Sequence, residues 1–341
     1  MLWSTRRLRF LLAALPLLGS MMAAPAPVAA DTDAGSPVLF AYYYAWYDSN
    51  TWSSGSTSDL PAEPYQSADT KAMARQIEQA QAAGIDAFNV AWLGPNNPTD
   101  RNFTQMLPIA AAHGFSLTLG VETDSFGSRR DLTNALRYAI STHTRQPGYF
   151  SSGGRPTFFF WRPTALPLDG ASSSIDAWRQ LRDDVDPDHQ TIWIGEGDNF
   201  AYLQAFDGIH PYSVAWSANV SRTLSTYGQR TRQQASSLNT PKLWVATVMP
   251  GYDDTRTGRP DGFARDRQGT GFYDEMWQAA LGSSPDWIII TSWNEWVEGS
   301  QIEPSRNYGS AYLDLTRSYV SQWKGYALAT DPGDSTDAAD S

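Results

Sequence analysis

Ile288-Ile289-Ile290-Thr291-Ser292-Trp293-Asn294-Glu295-Trp296-Val297-Glu298-Gly299-Ser300-Gln301-Ile302-Glu303-Pro304 joins two kinds of sequence that rarely meet. It begins as a short β-branched run, the pattern of a strand buried on both faces. Two Trp, one Asn and three Glu follow within a few residues. Acidic groups just past a buried strand are costly unless paired or used. In an α/β barrel, the carboxyl ends of the parallel strands are where catalytic groups sit.

Working outward, the same alternation runs through the chain. Short apolar strands are expected at residues 38–44, 85–92, 115–121, 155–161, 191–195, 205–209, 242–248 and 287–291. Helical spacing separates most of them, at 68–83, 102–113, 130–143, 174–185, 219–238, 271–281 and 308–323. Met73, Ile77 and Ala80 mark one such face, and Gly84 its stop. Short apolar strands followed by helices imply a parallel sheet covered on both faces. The pattern predicts a single-domain (β/α)8 TIM barrel over residues 38–325. A doubly wound open sheet is the competing arrangement, and it leaves strands over.

The ends read differently. Residues 1–30 carry Arg6, Arg7 and Arg9, then an apolar run from 10 to 22, then Val28-Ala29-Ala30 before Asp31. This is the order of a secretory signal peptide. A membrane anchor is the alternative, but the run is short and Pro16 interrupts it. The expectation is a secreted, extracellular or periplasmic protein, monomeric and free of the membrane once cleaved. Residues 31–37 read as a polar linker, and 326–341 as a disordered acidic tail.

Composition narrows the chemistry. The chain of 341 residues has no cysteine, which removes thiol nucleophiles and thiolate metal sites and leaves the core alone to hold a secreted fold. Its net charge of -11 argues against nucleic acid as a partner. Fourteen Trp and 16 Tyr supply flat faces with polar edges, suited to sugar rings and to ordinary cores alike. No Gly-x-Ser-x-Gly elbow, P-loop or dinucleotide fingerprint is present, and the histidines lack metal-ligand spacing. No cofactor and no metal are expected. Asp253-Asp254 reads as a loop cap or a sugar contact rather than a cation site. Asn102-Phe103-Thr104 and Asn219-Val220-Ser221 are glycosylation sequons.

Polar and aromatic residues gather where the strands end. Tyr44, Trp46 and Tyr47 follow the first strand, Trp92 ends the second, Glu122 the third and Trp161 the fourth. His210 and Tyr212 follow the sixth, Tyr252 and Asp253 the seventh, and Trp293, Asn294 and Trp296 the eighth. All are candidate substrate contacts on one rim. Glu295 and Glu298 lie three apart after the last strand, so one turn can aim both inward. Glycosidic cleavage needs two carboxyl groups, one protonated to assist departure and one acting as base or nucleophile. A shared aromatic surround would push at least one pKa upward. The alternative is a structural pairing of one Glu with Arg162 or Arg306.

These residues resemble a known family. Trp293-Asn294-Glu295-Trp296-x-Glu298-Gly299-Ser300-x-Ile302-Glu303-Pro304 is similar to the signature of glycoside hydrolase family 99, the endo-α-1,2-mannosidase family and its relatives. Tyr42-Tyr43-Tyr44-Ala45-Trp46-Tyr47 resembles its first-strand opening, Phe206-Asp207-Gly208-Ile209 its sixth strand and Pro250-Gly251-Tyr252-Asp253 its seventh. The chain departs at Ala45, at Thr123-Asp124 and at Val297, all along the rim. The resemblance implies a metal-free, retaining cleavage of an α-linked, mannan-like oligo- or polysaccharide, endo-acting, through a 1,2-anhydro sugar. Glu295 would deprotonate the sugar 2-hydroxyl and Glu298 would act as acid, then base. Glu122, Tyr44 and Tyr252 would hold the substrate. Relatives also include glycosyltransferase-like proteins of polysaccharide metabolism, and a catalytically inactive glycan-binding barrel is a further alternative. Glu303 is expected to brace the loop, through Arg306, rather than touch sugar.

Overall fold

The structure is a computed structural model and describes residues 31–33 and 35–325; the leader and tail readings lie outside the described residues. Eight parallel strands form the barrel: β1 (Val38–Tyr43), β2 (Ala87–Trp92), β3 (Ser116–Glu122), β4 (Arg155–Trp161), β5 (Ile192–Glu196), β6 (Gly208–His210), β7 (Leu243–Val248) and β8 (Trp287–Ile290). Each pairs with its neighbours in sequence, β8 returns to β1 through Trp287↔Val38, and β4–β5 pairing completes the ring. This is the expected (β/α)8 barrel, with no edge left open.

Seven α-helices stand among the described residues: α1 (Thr70–Ala82), α2 (Pro98–Ala112), α3 (Arg129–Thr142), α4 (Ser174–Val185), α5 (Val220–Leu238), α6 (Gly271–Gly282) and α7 (Ala311–Lys324). Side chains of Asp69, Asn97, Ser128, Ser173 and Asn219 accept backbone N–H bonds at five helix starts. At α2 this moves the start ahead of the expected residue 102: Asn97 caps, and Pro98 sits where its missing N–H costs nothing. Between β5 and β6 there is only a 3-10 stretch, Phe200–Gln204. β6 runs later than expected, and its Gly208 is required by crowding. A Cβ there would lie 2.7 Å from the Ile194 side chain and 2.8 Å from Leu243.

Strand alternation separates two cores. Val38, Phe40, Tyr42, Ala87, Ala91, Phe159, Ile194, Val245 and Ile289 fill the barrel interior. Leu39, Tyr43, Phe88, Val90, Trp92, Phe158, Phe160 and Ile290 pack outward under the helices. The linker makes one small pairing, Asp31–Thr32 with Ser151–Ser152. The sequon at Asn102 is inward-facing: the side chain is buried and its Nδ2 donates to the Ala45 carbonyl at 2.9 Å, so it offers no acceptor for a glycan.

Candidate active site

After β8 the chain folds back on itself. The Ser292 N–H donates to the Ser300 carbonyl and the Trp293 N–H to the Tyr42 carbonyl, both at 2.8 Å. The Ser292 hydroxyl accepts the Glu295 N–H at 2.7 Å. Asn294 clamps the end of β1: its Oδ1 accepts the Tyr44 N–H at 2.7 Å and its Nδ2 donates to the Tyr44 carbonyl at 3.0 Å. Glu303 is buried beneath this loop and accepts from Gln76 Nε2 (2.6 Å), Tyr65 hydroxyl (3.0 Å) and Trp296 Nε1 (3.1 Å). It braces the loop, but not through Arg306, whose side chain is exposed and whose backbone N–H donates to the Leu60 carbonyl.

The loop projects Glu295 and Glu298 into a cleft of about 310 Å³ lined also by Tyr42, Tyr44, Trp46, Glu122, Trp161, Tyr212, Arg259 and Val297. Glu295 is buried, and its Oε1 accepts from the Tyr47 hydroxyl at 3.3 Å and the Val297 N–H at 3.2 Å. Burial first, and then the charge of Glu298, push its pKa up to about 8. Glu298 accepts from the Tyr212 hydroxyl at 3.0 Å and from Arg259 Nη1 at 2.7 Å. The Tyr212 and Tyr44 hydroxyls share a bond of 2.8 Å, and the Tyr44 ring packs against Trp46, centroids 4.7 Å apart. Across the cleft, burial, with Asp124 and Glu298 adding to it, raises Glu122 to about 8. Glu196, at the end of β5, is raised by burial to about 7.

Several expected contacts belong elsewhere. Trp92 and Trp293 do not line the cleft; both point outward into the core, where Trp92 donates to Asp100 at 2.9 Å and Trp293 packs on Phe88 at 5.1 Å. His210 lies below the cleft, wholly buried, and burial lowers it to about 4. Its Nδ1–H donates to the Pro211 carbonyl (3.2 Å), which leaves Nε2 to accept from Tyr42 (3.0 Å). Asn294 and Trp296 are buried parts of the loop's support. Asp253 faces a separate pocket behind Gly299, and its Oδ1 accepts from Thr255. Tyr252 stands behind Arg259, which donates to its hydroxyl at 3.2 Å. Asp254 likewise serves the loop, accepting from Arg259 and the Phe263 N–H. Among the described residues no group of three or more His, Cys, Asp or Glu is set to hold a metal.

Trp161 lines the cleft as its place at a strand end implied, while Tyr42 and Arg259 enter it without having been singled out as contacts. Tyr42 shares the strand-end signal that marked Tyr44, Glu122 and Trp161. Arg259 has no such signal: it sits well past β7 in a Thr/Gly/Arg-rich loop, and only the fold brings it to Glu298. It is also the arginine partner that the alternative reading gave to Arg162 or Arg306; Arg162 pairs with Asp124 instead, at 2.8 Å.

A closed parallel barrel with facing carboxyl groups on its carboxyl-end rim is the architecture of barrel glycoside hydrolases. The chain belongs to one family of them: residues 55–323 match the model of glycosyl hydrolase family 99. Among named relatives, a human glycoprotein endo-alpha-1,2-mannosidase-like protein is 26% identical over 297 residues, covering 75% of this chain and 62% of its own. A rat glycoprotein endo-alpha-1,2-mannosidase is 24% identical, covering 73% of this chain and 58% of its own. The chain thus spans about three-fifths of the length of these relatives. In fold it is similar to a family 99 endo-alpha-mannosidase from Bacteroides thetaiotaomicron, with a TM-score of 0.72, 24% identity, and coverage of 84% of this chain and 97% of that one.

Proposed function

We propose that the protein is a secreted glycosidase that cuts within an α-linked, mannan-like glycan and retains the anomeric configuration through a 1,2-anhydro sugar. The observation that carries the reading is the placement of Glu295 and Glu298 on one loop, facing one cleft, with distinct surroundings. Glu295 sits among Tyr47, the Val297 N–H and buried apolar walls, and its raised pKa gives a base strong enough to take a hydroxyl proton near neutrality. The ionised Glu295 removes the proton from the sugar 2-hydroxyl as that oxygen attacks the anomeric carbon. Glu298 gives its proton to the departing glycosidic oxygen. Arg259 and Tyr212, already bonded to Glu298, offset the charge left on it. Glu298 then takes a proton from water, whose oxygen opens the anhydro ring at the anomeric carbon, and Glu295 returns its proton to the 2-oxygen. The two displacements together retain configuration. The names of the relatives support mannose as the sugar.

The test is hydrolysis of a panel of α-glycans, with product sizing and NMR of the first-formed anomer. Glu295→Gln and Glu298→Gln should each lower kcat/KM on any cleaved glycan by about 10²–10⁴-fold, the usual worth of an acid or base. Wild-type rates in both variants would overturn the assignment.

A further inference from the structure

Four large apolar side chains stand exposed among the described residues: Trp46, Leu168, Trp216 and Phe263. The three aromatic ones rise from loops after β1, β6 and β7, on the same rim as the cleft. Trp46 lines the cleft itself. Trp216, 61% exposed, and Phe263, 37% exposed, lie outside it and take no part in the chemistry above.

Neither ring is loosely placed. Trp216 Nε1 donates to the Ser213 carbonyl at 3.1 Å, which fixes the indole plane while leaving its face to solvent. The next residue is tied down twice, by the Ser217 N–H to the Val214 carbonyl at 2.9 Å and by its hydroxyl to Thr223 at 2.8 Å. Phe263 stacks on Tyr252, centroids 4.8 Å apart and planes inclined by 27°, and its N–H is held by Asp254 Oδ1 at 2.8 Å. Arg265 joins the two loops by donating to the Ser217 carbonyl. The surface runs on into the cleft, because Tyr252, under Phe263, is bonded through Arg259 to Glu298. An aromatic face held rigidly and left open to water marks a contact surface. Continuity with a sugar cleft favours the C–H face of a sugar ring as its occupant.

We propose that Trp216 and Phe263 form a distal subsite that stacks on pyranose units of the glycan chain threaded through the cleft. The preferred substrate is then a polymer or long oligosaccharide reaching past the β6 and β7 loops, not a disaccharide. This rests on the glycosidase reading, and the experiment keeps the two apart. Trp216→Ala, Phe263→Ala and Trp216→Phe are compared with wild type on an α-1,2-linked mannan polymer and on 4-nitrophenyl α-mannobioside. Thermal unfolding checks that these exposed truncations leave the fold intact. Each alanine variant should lose about tenfold in kcat/KM on the polymer, equivalent to about 1.4 kcal/mol, and little on the short substrate. Trp216→Phe should recover most of the loss. Equal losses on both substrates, or none on either, overturn the subsite. If wild type cleaves neither, the glycosidase reading fails instead. The subsite is then judged by affinity electrophoresis of wild type and both alanine variants in gels containing the polymer, where unchanged mobility on truncation rejects it.

Discussion

One hydroxyl bears directly on the ionisation of Glu295. Burial and the nearby Glu298 hold its proton on, while the Val297 N–H and the Tyr47 hydroxyl favour the charged form. Tyr47→Phe removes one of those two donors and leaves the ring's packing against Trp52 in place. The Glu295 pKa should therefore move above about 8. Since the base must be ionised, the rise of kcat/KM with pH should shift to higher pH in Tyr47→Phe, measured on any cleaved glycan. A profile that shifts to lower pH would contradict the role of base. At this scale the sequence was a fair but incomplete guide. A strand-end Trp or Tyr can face either the barrel axis or the helices, and one step of register decides which. Tyr44 faces the interior and reaches the cleft; Trp92, one position out of phase with Ala91, faces the helices. Residue type alone does not distinguish them.

Elements were easier to read than contacts. Parallel strands buried on both faces are continuous apolar runs, and all eight were legible for that reason. The loop after β7 was not: Asp254 holds turns at Thr257 and Phe263, Arg265 and Arg267 reach Ser217, Gly299 and Gln301, and nothing in the composition of residues 254–269 says that Arg259 crosses to Glu298. The β8 loop shows what such a crossing requires. Glu303 gathers Gln76 from α1, Tyr65 from the β1–α1 connection and Trp296 from its own loop, so three elements share one carboxylate. Glu303→Leu leaves three buried donors without an acceptor, at about 1–3 kcal/mol for each group stranded. The variant should unfold at distinctly lower urea, with a loss of at least about 3 kcal/mol. Glu303→Gln, which keeps an acceptor oxygen, should lose less. Equal stability in Glu303→Leu and wild type would show that the loop does not depend on this bracket.

For the whole molecule, the site's carboxyl groups set a conflict between working and staying folded. Burial raises Glu122 and Glu295 to about 8, and Glu196 and Glu303 to about 7, from an ordinary value of 4.5. In each case the native state holds its proton more tightly than the unfolded chain does. Between about pH 4.5 and about pH 8 the native protein therefore binds more protons, and stability must fall as pH rises. These groups contribute their full stability below the unfolded value and lose it as pH passes the folded one. Asp100 works in the opposite sense, being lowered by its hydrogen bonds from His143 and Trp92 against the pull of burial, so strong acid also destabilises. The melting temperature should thus be highest in mild acid and decline toward pH 8, while the proposed base gains its charge over the same interval. Glu295→Gln separates the two effects. It removes a carboxylate that must be ionised in a dry wall, so its melting temperature should fall less steeply with pH than that of wild type. Calorimetric scans of both proteins from about pH 5 to about pH 8 decide it: parallel declines would mean that Glu295 does not carry the raised pKa on which its assignment as base depends.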